Sequence, residues 1–318
     1  MNLGYACINM TLSSQKPKVT TNRSMIKKTF NEKGISYAGE LGMLNAADLG
    51  RILRWNVKNG IKCFRLSSEF FPWASEYRFK DLPQYLRIKT LLAGAGHYAK
   101  SNGMRLTCHP GPFNVLVSPH KHVVDNTITD LRIHGEIFDM IGLERSPYNK
   151  INIHCNGVYG DKKAAMDRFC KNFELLPESV KTRLTVENDD KSSMYSVKDL
   201  MYIHERIGIP IVFDYHHHKF CTGDLSEQEA LELAISTWPK DIKPIVHYSE
   251  SKALHEGNEK VKPQAHSDYI NKLPNLYGND VDVMVESKAK ELAIIPFIKD
   301  FTCNYSCLLY TSDAADED

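Results

Sequence analysis

A (β/α)8 barrel in a single α/β domain is the fold this 318-residue sequence predicts, and three observations carry it. Eight short β-like runs recur along the chain, and a helix-period segment follows each. That alternation over about 300 residues is the pattern of the barrel. Neither a G-x-G-x-x-G turn nor a P-loop occurs, so the alternative, a doubly wound open sheet, lacks its Gly-rich first turn, and no nucleotide cofactor is expected.

The β-like runs are Leu3–Asn9, Cys63–Ser68, Arg105–His109, Lys150–Cys155, Arg183–Asn188, Ile209–Tyr215, Pro244–Ser249 and Val281–Ser287. Most are short and apolar, as strands buried on both faces should be. Helix-period segments follow at Leu44–Asn59 and Leu82–Asn102, each ending before a glycine (Gly60, Gly103) suited to a C-cap. Further ones cover Val123–Ile141, Lys162–Leu176, Ser196–Arg206 and Ser226–Ser236, with Ser196 and Ser226 as N-caps. A shorter helix is expected near Gln264–Lys272, and Ser287–Phe301 closes the series. The barrel domain is thus residues 1–302. Residues 303–318 do not continue the pattern and read as a foreign or disordered tail.

Composition narrows the function classes. With 42% hydrophobic and 25% charged residues this is an ordinary globular composition. The formal charge is +1, so no global basic field advertises a nucleic-acid partner. The N-terminus lacks the regions of a signal peptide, and no apolar run reaches a membrane span, so a cytoplasmic chain with no membrane partner is expected. The eight cysteines form no Cys-x-x-Cys pair and read as buried reduced thiols. One stretch departs from the neutral whole. Met10–Asn31 carries Lys16, Lys18, Arg23, Lys27 and Lys28 without an acid, which on the loop side of a barrel suits phosphate contact.

Catalytic groups of a barrel gather where the C-terminal ends of its strands converge. Strand three ends at His109, strand four at His154 and strand five at Glu187. Strand six offers Asp214 followed by His216, His217 and His218; strand seven offers His247 and strand eight Glu286, with His266 at a loop-to-helix junction. A lone strand-end histidine is often a satisfied structural residue. Six successive strands all ending in His, Asp or Glu are what a metal centre needs and what apolar packing does not. Five imidazoles and three carboxylates exceed the needs of one ion, so a multinuclear centre follows, with Glu187, Asp214 and Glu286 available as bridges. Such centres suit in-line phosphoryl displacement. The nitrogen and oxygen donor set fits Mn²⁺ or Zn²⁺. Strand alternation leaves open which imidazole after Asp214 binds: His216 shares its face if the strand continues, and His217 arrives if the chain turns.

Several blocks, in order, make the chain resemble the UV damage endonuclease family over nearly its whole length from Leu3 to about Phe301. They are Leu3-Gly-Tyr-Ala-Cys-Ile-Asn9, Phe64-Arg-Leu-Ser-Ser68 with Phe71-Pro-Trp73, His109-Pro-Gly111, Val186-Glu-Asn-Asp189, Phe213-Asp-Tyr-His-His217, Val246-His-Tyr-Ser-Glu250, Ala265-His-Ser-Asp-Tyr269 and Asp282-Val-Met-Val-Glu-Ser-Lys288. The resemblance implies a barrel with a three-metal centre, usually of manganese, with Zn²⁺ or Mg²⁺ as substitutes. It implies cleavage of damaged double-stranded DNA 5′ to a UV photoproduct by a monomer, near the nucleoid. It also implies metal ligation by His109, His154, Glu187, Asp214, His217, His247, His266 and Glu286, with Glu187, Asp214, His247 and Glu286 catalytic, and so favours His217. Tyr5, Asn9, Pro112 and Phe113 would touch the lesion. Two departures stand out. The family commonly has Gln-Tyr or Gln-Phe after His-Pro-Gly; Phe113 keeps an aromatic wedge, but Pro112 offers no amide, so a shifted lesion preference is expected. A lysine often lies two residues before the strand-seven histidine, where this chain has Ile245, so altered charge near one metal is expected. A divalent-metal sugar isomerase or epimerase on the same barrel is the alternative reading.

Overall fold

Strand-sized, largely apolar runs produce short, buried strands. In the computed structural model, which describes residues 1–298, they are β1 (Leu3–Ala6), β2 (Cys63–Leu66), β3 (Arg105–Cys108), β4 (Ile151–His154), β5 (Leu184–Glu187), β6 (Ile211–Val212), β7 (Ile245–Tyr248) and β8 (Asp282–Val285). All neighbours are parallel, in the order β6-β5-β4-β3-β2-β1-β8-β7. The ring closes between β6 and β7 through one parallel bridge, Asp214 to His247, in which the His247 amide donates to the Phe213 carbonyl at 2.9 Å. The fold is therefore the predicted (β/α)8 barrel. The tail beyond residue 302 lies outside the described residues.

Period two divides each strand between two environments. Outward residues such as Phe64, Leu106, Ile153 and Val186 pack under the helices in the main apolar core. Cys63, Val212, Ile245 and Met284 form a second, small apolar cluster with Trp238. Arg105, fully buried, donates to the carbonyls of Tyr148 at 2.6 Å and Lys243 at 2.8 Å and lies 3.4 Å from Asp282. Both carbonyls precede strands, β4 and β7, and Asp282 opens β8, so the guanidinium plugs the N-terminal end of the barrel, opposite the strand-end His, Asp and Glu.

The helices are α1 (Met10–Ser13), α2 (Lys27–Lys58), α3 (Tyr85–Ser101), α4 (Lys121–Ile141), α5 (Lys162–Phe173), α6 (Glu178–Lys181), α7 (Val197–Ile207), α8 (Tyr215–His218), α9 (Glu227–Ser236) and α10 (Lys252–Glu256), with residues 291–298 also helical. Ser196 and Ser226 both form capping boxes, with Asp199 and Glu229 respectively. Two expectations are corrected. Residues 264–272 form no helix: Pro263, Ser267, Asp268 and Pro274 break the segment, and the single turn α10 precedes it instead. The basic stretch Met10–Asn31 is not one loop, because α1 and the start of α2 occupy its ends. Its cations are also partly committed. Arg23 pairs with Asp48 at 2.6 Å and donates to the Thr20 and Lys18 carbonyls, and Lys27 pairs with Glu76 at 2.9 Å. Lys16, Lys18 and Lys28 remain exposed.

Candidate metal centre

The strand-end His, Asp and Glu side chains converge on Glu187, the fully buried last residue of β5. His109 Nε2 and His247 Nδ1 lie 3.1 and 3.0 Å from its Oε2, and His217 Nδ1 and His154 Nε2 lie 3.4 and 3.9 Å from its Oε1. His247 Nδ1 is also 3.1 Å from Glu286 Oε1, and His266 Nδ1 is 4.0 Å from Glu286 Oε2. Two ligand groups result. One donor atom each from His109, His154 and Glu187 falls within 4.8 Å of the others, and so does one each from Glu187, Asp214, His247 and Glu286. Glu187 belongs to both groups and is the carboxylate placed to bridge them.

After β6 the chain turns at once. Asp214 caps α8, its Oδ1 accepting from the His216 and His217 amides at 2.7 and 2.8 Å. The turn brings His217 towards Glu187 and sends His216 away, where its Nε2 meets the Gln264 carbonyl at 3.1 Å. Asn188 holds the turn, accepting from the Asp214 amide at 2.8 Å and donating to its carbonyl at 3.1 Å. His266 stands at the rim, antiparallel to Ser251, its ring 6.2 Å from that of His217.

A second tier of polar groups beneath the ligands escaped the sequence reading. Arg65 donates to Glu286, and Asn152 donates to Glu187 while accepting from the Thr185 hydroxyl at 2.7 Å. Lys150 Nζ lies 2.8 Å from His247 Nε2. An amine thus reaches the strand-seven histidine from β4's edge although Ile245 supplies none. Asp189 Oδ1 lies 3.3 Å from His154 Nδ1. Alternation was the available signal: Lys150 and Asn152 share a strand face with His154.

Burial would neutralise these groups, and their neighbours decide otherwise. Burial alone would raise both carboxyls. His247 and His154 hold Glu187, and Arg65 and His247 hold Glu286, well below the usual carboxylate range. Burial pushes the His247 imidazole down to about 4 and the Lys150 ammonium down to about 7, Arg65 adding to the latter. His154 goes the other way, to about 10, because Glu187 and Asp189 outweigh its burial. Glu187 Oε1, Asp214 Oδ2, His247 Nδ1 and His266 Nδ1 are buried with no hydrogen bond of good geometry. Converging lone pairs left unmatched are costly unless a cation meets them. The residues present therefore fit a divalent metal.

The expected lesion contacts divide. Phe113 is 67% exposed beside Pro112, also exposed, on the loop after His109. Tyr5 and Asn9 are buried. The Tyr5 hydroxyl donates to Asn56 Oδ1 and accepts from Asn9 Nδ2, both at 2.8 Å, and Asn9 Oδ1 caps α1. Both side chains are engaged with each other and with Asn56, bracing the end of β1 against α2.

The chain is similar to known proteins along its length. The family model described as UV-endonuclease UvdE matches residues 1–308. A UV-damage endonuclease of Neurospora crassa is 35% identical over 94% of this chain, which spans only 51% of that relative. The solved structure of SacUVDE superposes with a TM-score of 0.81 at 32% identity, covering 95% of this chain and 98% of that one. An L-ribulose 3-epimerase structure, at 13% identity, with a TM-score of 0.51 and coverage of 76% and 75%, shares the fold alone. With the whole-length match, the barrel and the convergent strand-end ligands agreeing, the chain belongs to the UV-endonuclease UvdE family.

Proposed function

We propose that this chain is a metal-dependent DNA repair endonuclease that nicks the backbone 5′ to UV photoproducts and other helix-distorting lesions. The observation that carries the reading is the pair of ligand groups sharing Glu187. Two adjoining oxygen- and nitrogen-lined sites suit a phosphodiester better than a single site would. His109, His154, Glu187, Asp214, His217, His247, His266 and Glu286 would hold about three divalent ions, Mn²⁺ first and Zn²⁺ or Mg²⁺ as substitutes. Bound there, such ions neutralise charge developing on the phosphate and acidify a water. Water attack forms one P–O bond and breaks the O3′–P bond; a proton passes to the 3′ oxygen, leaving a 3′-hydroxyl and a 5′-phosphate. Glu187, Asp214, His247 and Glu286 orient the reacting groups, and Arg65 keeps Glu286 ionised. Phe113, beside Pro112, is the exposed wedge for a duplex whose damage lowers the cost of bending and unstacking. The working form would be a monomer in the cytoplasm, at the nucleoid. Among the described residues no helix is long and apolar enough to cross a membrane.

The test is a UV-irradiated supercoiled plasmid with Mn²⁺. Irradiated plasmid should be nicked and untreated plasmid spared, while Glu187→Gln binds DNA but no longer nicks. Full nicking by Glu187→Gln overturns the metal-centre assignment. Ketose–aldose conversion without nicking would favour the sugar-isomerase alternative.

A further inference from the structure

Two exposed aromatic rings rise from neighbouring loops at the mouth of the barrel, and only Phe113 has a role so far. The other is Tyr159, 46% exposed, on the loop after β4, five residues beyond His154. Both rings are mounted alike. A Cβ built on Gly111 would lie 2.4 Å from the Phe113 ring, and one on Gly157 would lie 2.9 Å from the Tyr159 ring. Each ring therefore lies back over a glycine two residues before it. The two loops touch, because Asn156 Nδ2 donates to the Asn114 carbonyl at 3.4 Å. His109 and His154, from which they spring, have rings 5.2 Å apart.

The Tyr159 loop is held in a shape that a bare connection would not adopt. Asn156, Gly157, Tyr159 and Gly160 all have positive φ, at 52°, 67°, 50° and 80°. Left-handed backbone is unfavourable for a tyrosine and persists where the surroundings impose it. Here the fully buried Tyr195 donates its hydroxyl to the Gly157 carbonyl at 2.9 Å. His120 meets the Tyr159 ring edge-on with centroids 6.3 Å apart, and the Arg168 guanidinium lies 5.7 Å from its centre. The Tyr159 hydroxyl has no hydrogen-bond partner among the described residues, so the ring itself is the group displayed.

We infer that Tyr159 is a second aromatic contact on the damaged duplex, stacking on a base or sugar beside the step that Phe113 enters. The inference rests on the DNA-endonuclease reading above. A preset ring offers sequence-tolerant stacking, which suits an enzyme that must read distortion rather than base identity. Arg168 and His120 beside the ring, with His122 5.9 Å from His120, suit the flanking backbone.

Steady-state nicking of a duplex carrying one photoproduct, in Mn²⁺, tests this with Tyr159→Ala, Tyr159→Phe and Tyr159→Trp. Tyr159→Ala should raise KM by roughly tenfold with kcat and Tm retained, and Phe and Trp should restore KM because they keep the ring face. Gly157→Ala, which lifts the ring from its seat, should raise KM in the same direction. Wild-type KM in Tyr159→Ala overturns the inference, as does a Phe variant as impaired as the Ala one. A wild-type chain that leaves irradiated DNA intact overturns the endonuclease reading and this inference together. Wild-type nicking alongside an unaltered Tyr159→Ala overturns this inference alone.

Discussion

Asn152 carries no charge, yet it determines which oxygen of Glu187 is free. Thr185 donates to its Oδ1, which turns its amide nitrogen towards Glu187 Oε2. Oε1 is then left for the ligands His154 and His217. Replacing the amide by a carboxylate reverses that last contact. Asn152→Asp should weaken Mn²⁺ binding by about 10–100-fold, the usual cost of losing a group that orients a ligand. Titration calorimetry with Mn²⁺ reads the change; unaltered affinity would show that Asn152 only fills space. At this scale the convergence of the strand-end His, Asp and Glu was legible because such residues at strand ends have few other reasons to be there. Asn152, Thr185 and Lys150 were harder to read: alternation puts Lys150 and Asn152 on the face of His154, but a polar residue inside a short strand carries no mark of what lies opposite it. The burial of Tyr5 was equally hidden: its partner Asn56 lies 51 residues away on α2.

Elements aim the strand-end side chains, and one short element separates two histidines that periodicity left equivalent. Alternation offered His216 if the strand continued and His217 if it turned. Because Asp214 caps α8, the second residue after it swings towards Gln264 and the third towards Glu187. Alanine substitutions separate the two. His217→Ala should lower the metal bound per chain, measured by elemental analysis, with little loss of fold. His216→Ala removes a fully buried ring, so it should lower Tm while metal content stays near wild type. The opposite pattern would exchange their roles. Helices with strong caps, such as α7 and α9, were readable from Ser196 and Ser226 because capping is local chemistry. The absent helix over residues 264–272 shows the limit: its apolar spacing mimicked a helix, while Pro263 and Pro274 and the pairing of Ser251 with His266 held it irregular.

On the scale of the whole molecule the ring is unevenly joined. β1–β2, β2–β3, β4–β5 and β7–β8 pair over three or four residues, whereas β3 and β4 share one pair, Cys108 with Ile151, and the β6–β7 seam is one bridge, Asp214 with His247. That seam lies inside the second ligand group. Removing metal with a chelator should therefore speed amide hydrogen exchange at residues 211–214 and 245–248 more than at β1 and β2. Uniform acceleration around the ring would count against a seam held by the centre. The eight βα units were visible in the sequence because each repeats a local pattern. The seam was not, because β6 and β7 are consecutive in the chain and nothing local distinguishes their pairing from the others; how few residues they share depends on how the other strands finish in space.

The position of that seam has a consequence for assembly. Asp214 and His247 become neighbours only when strands six and seven are both home and in register. A chain caught with the ring open, or shifted by one residue, offers at most a fragment of the second ligand group. The complete group is therefore a property of the closed ring alone: an ion that needed all four side chains would be held by the finished barrel and would pass over near misses.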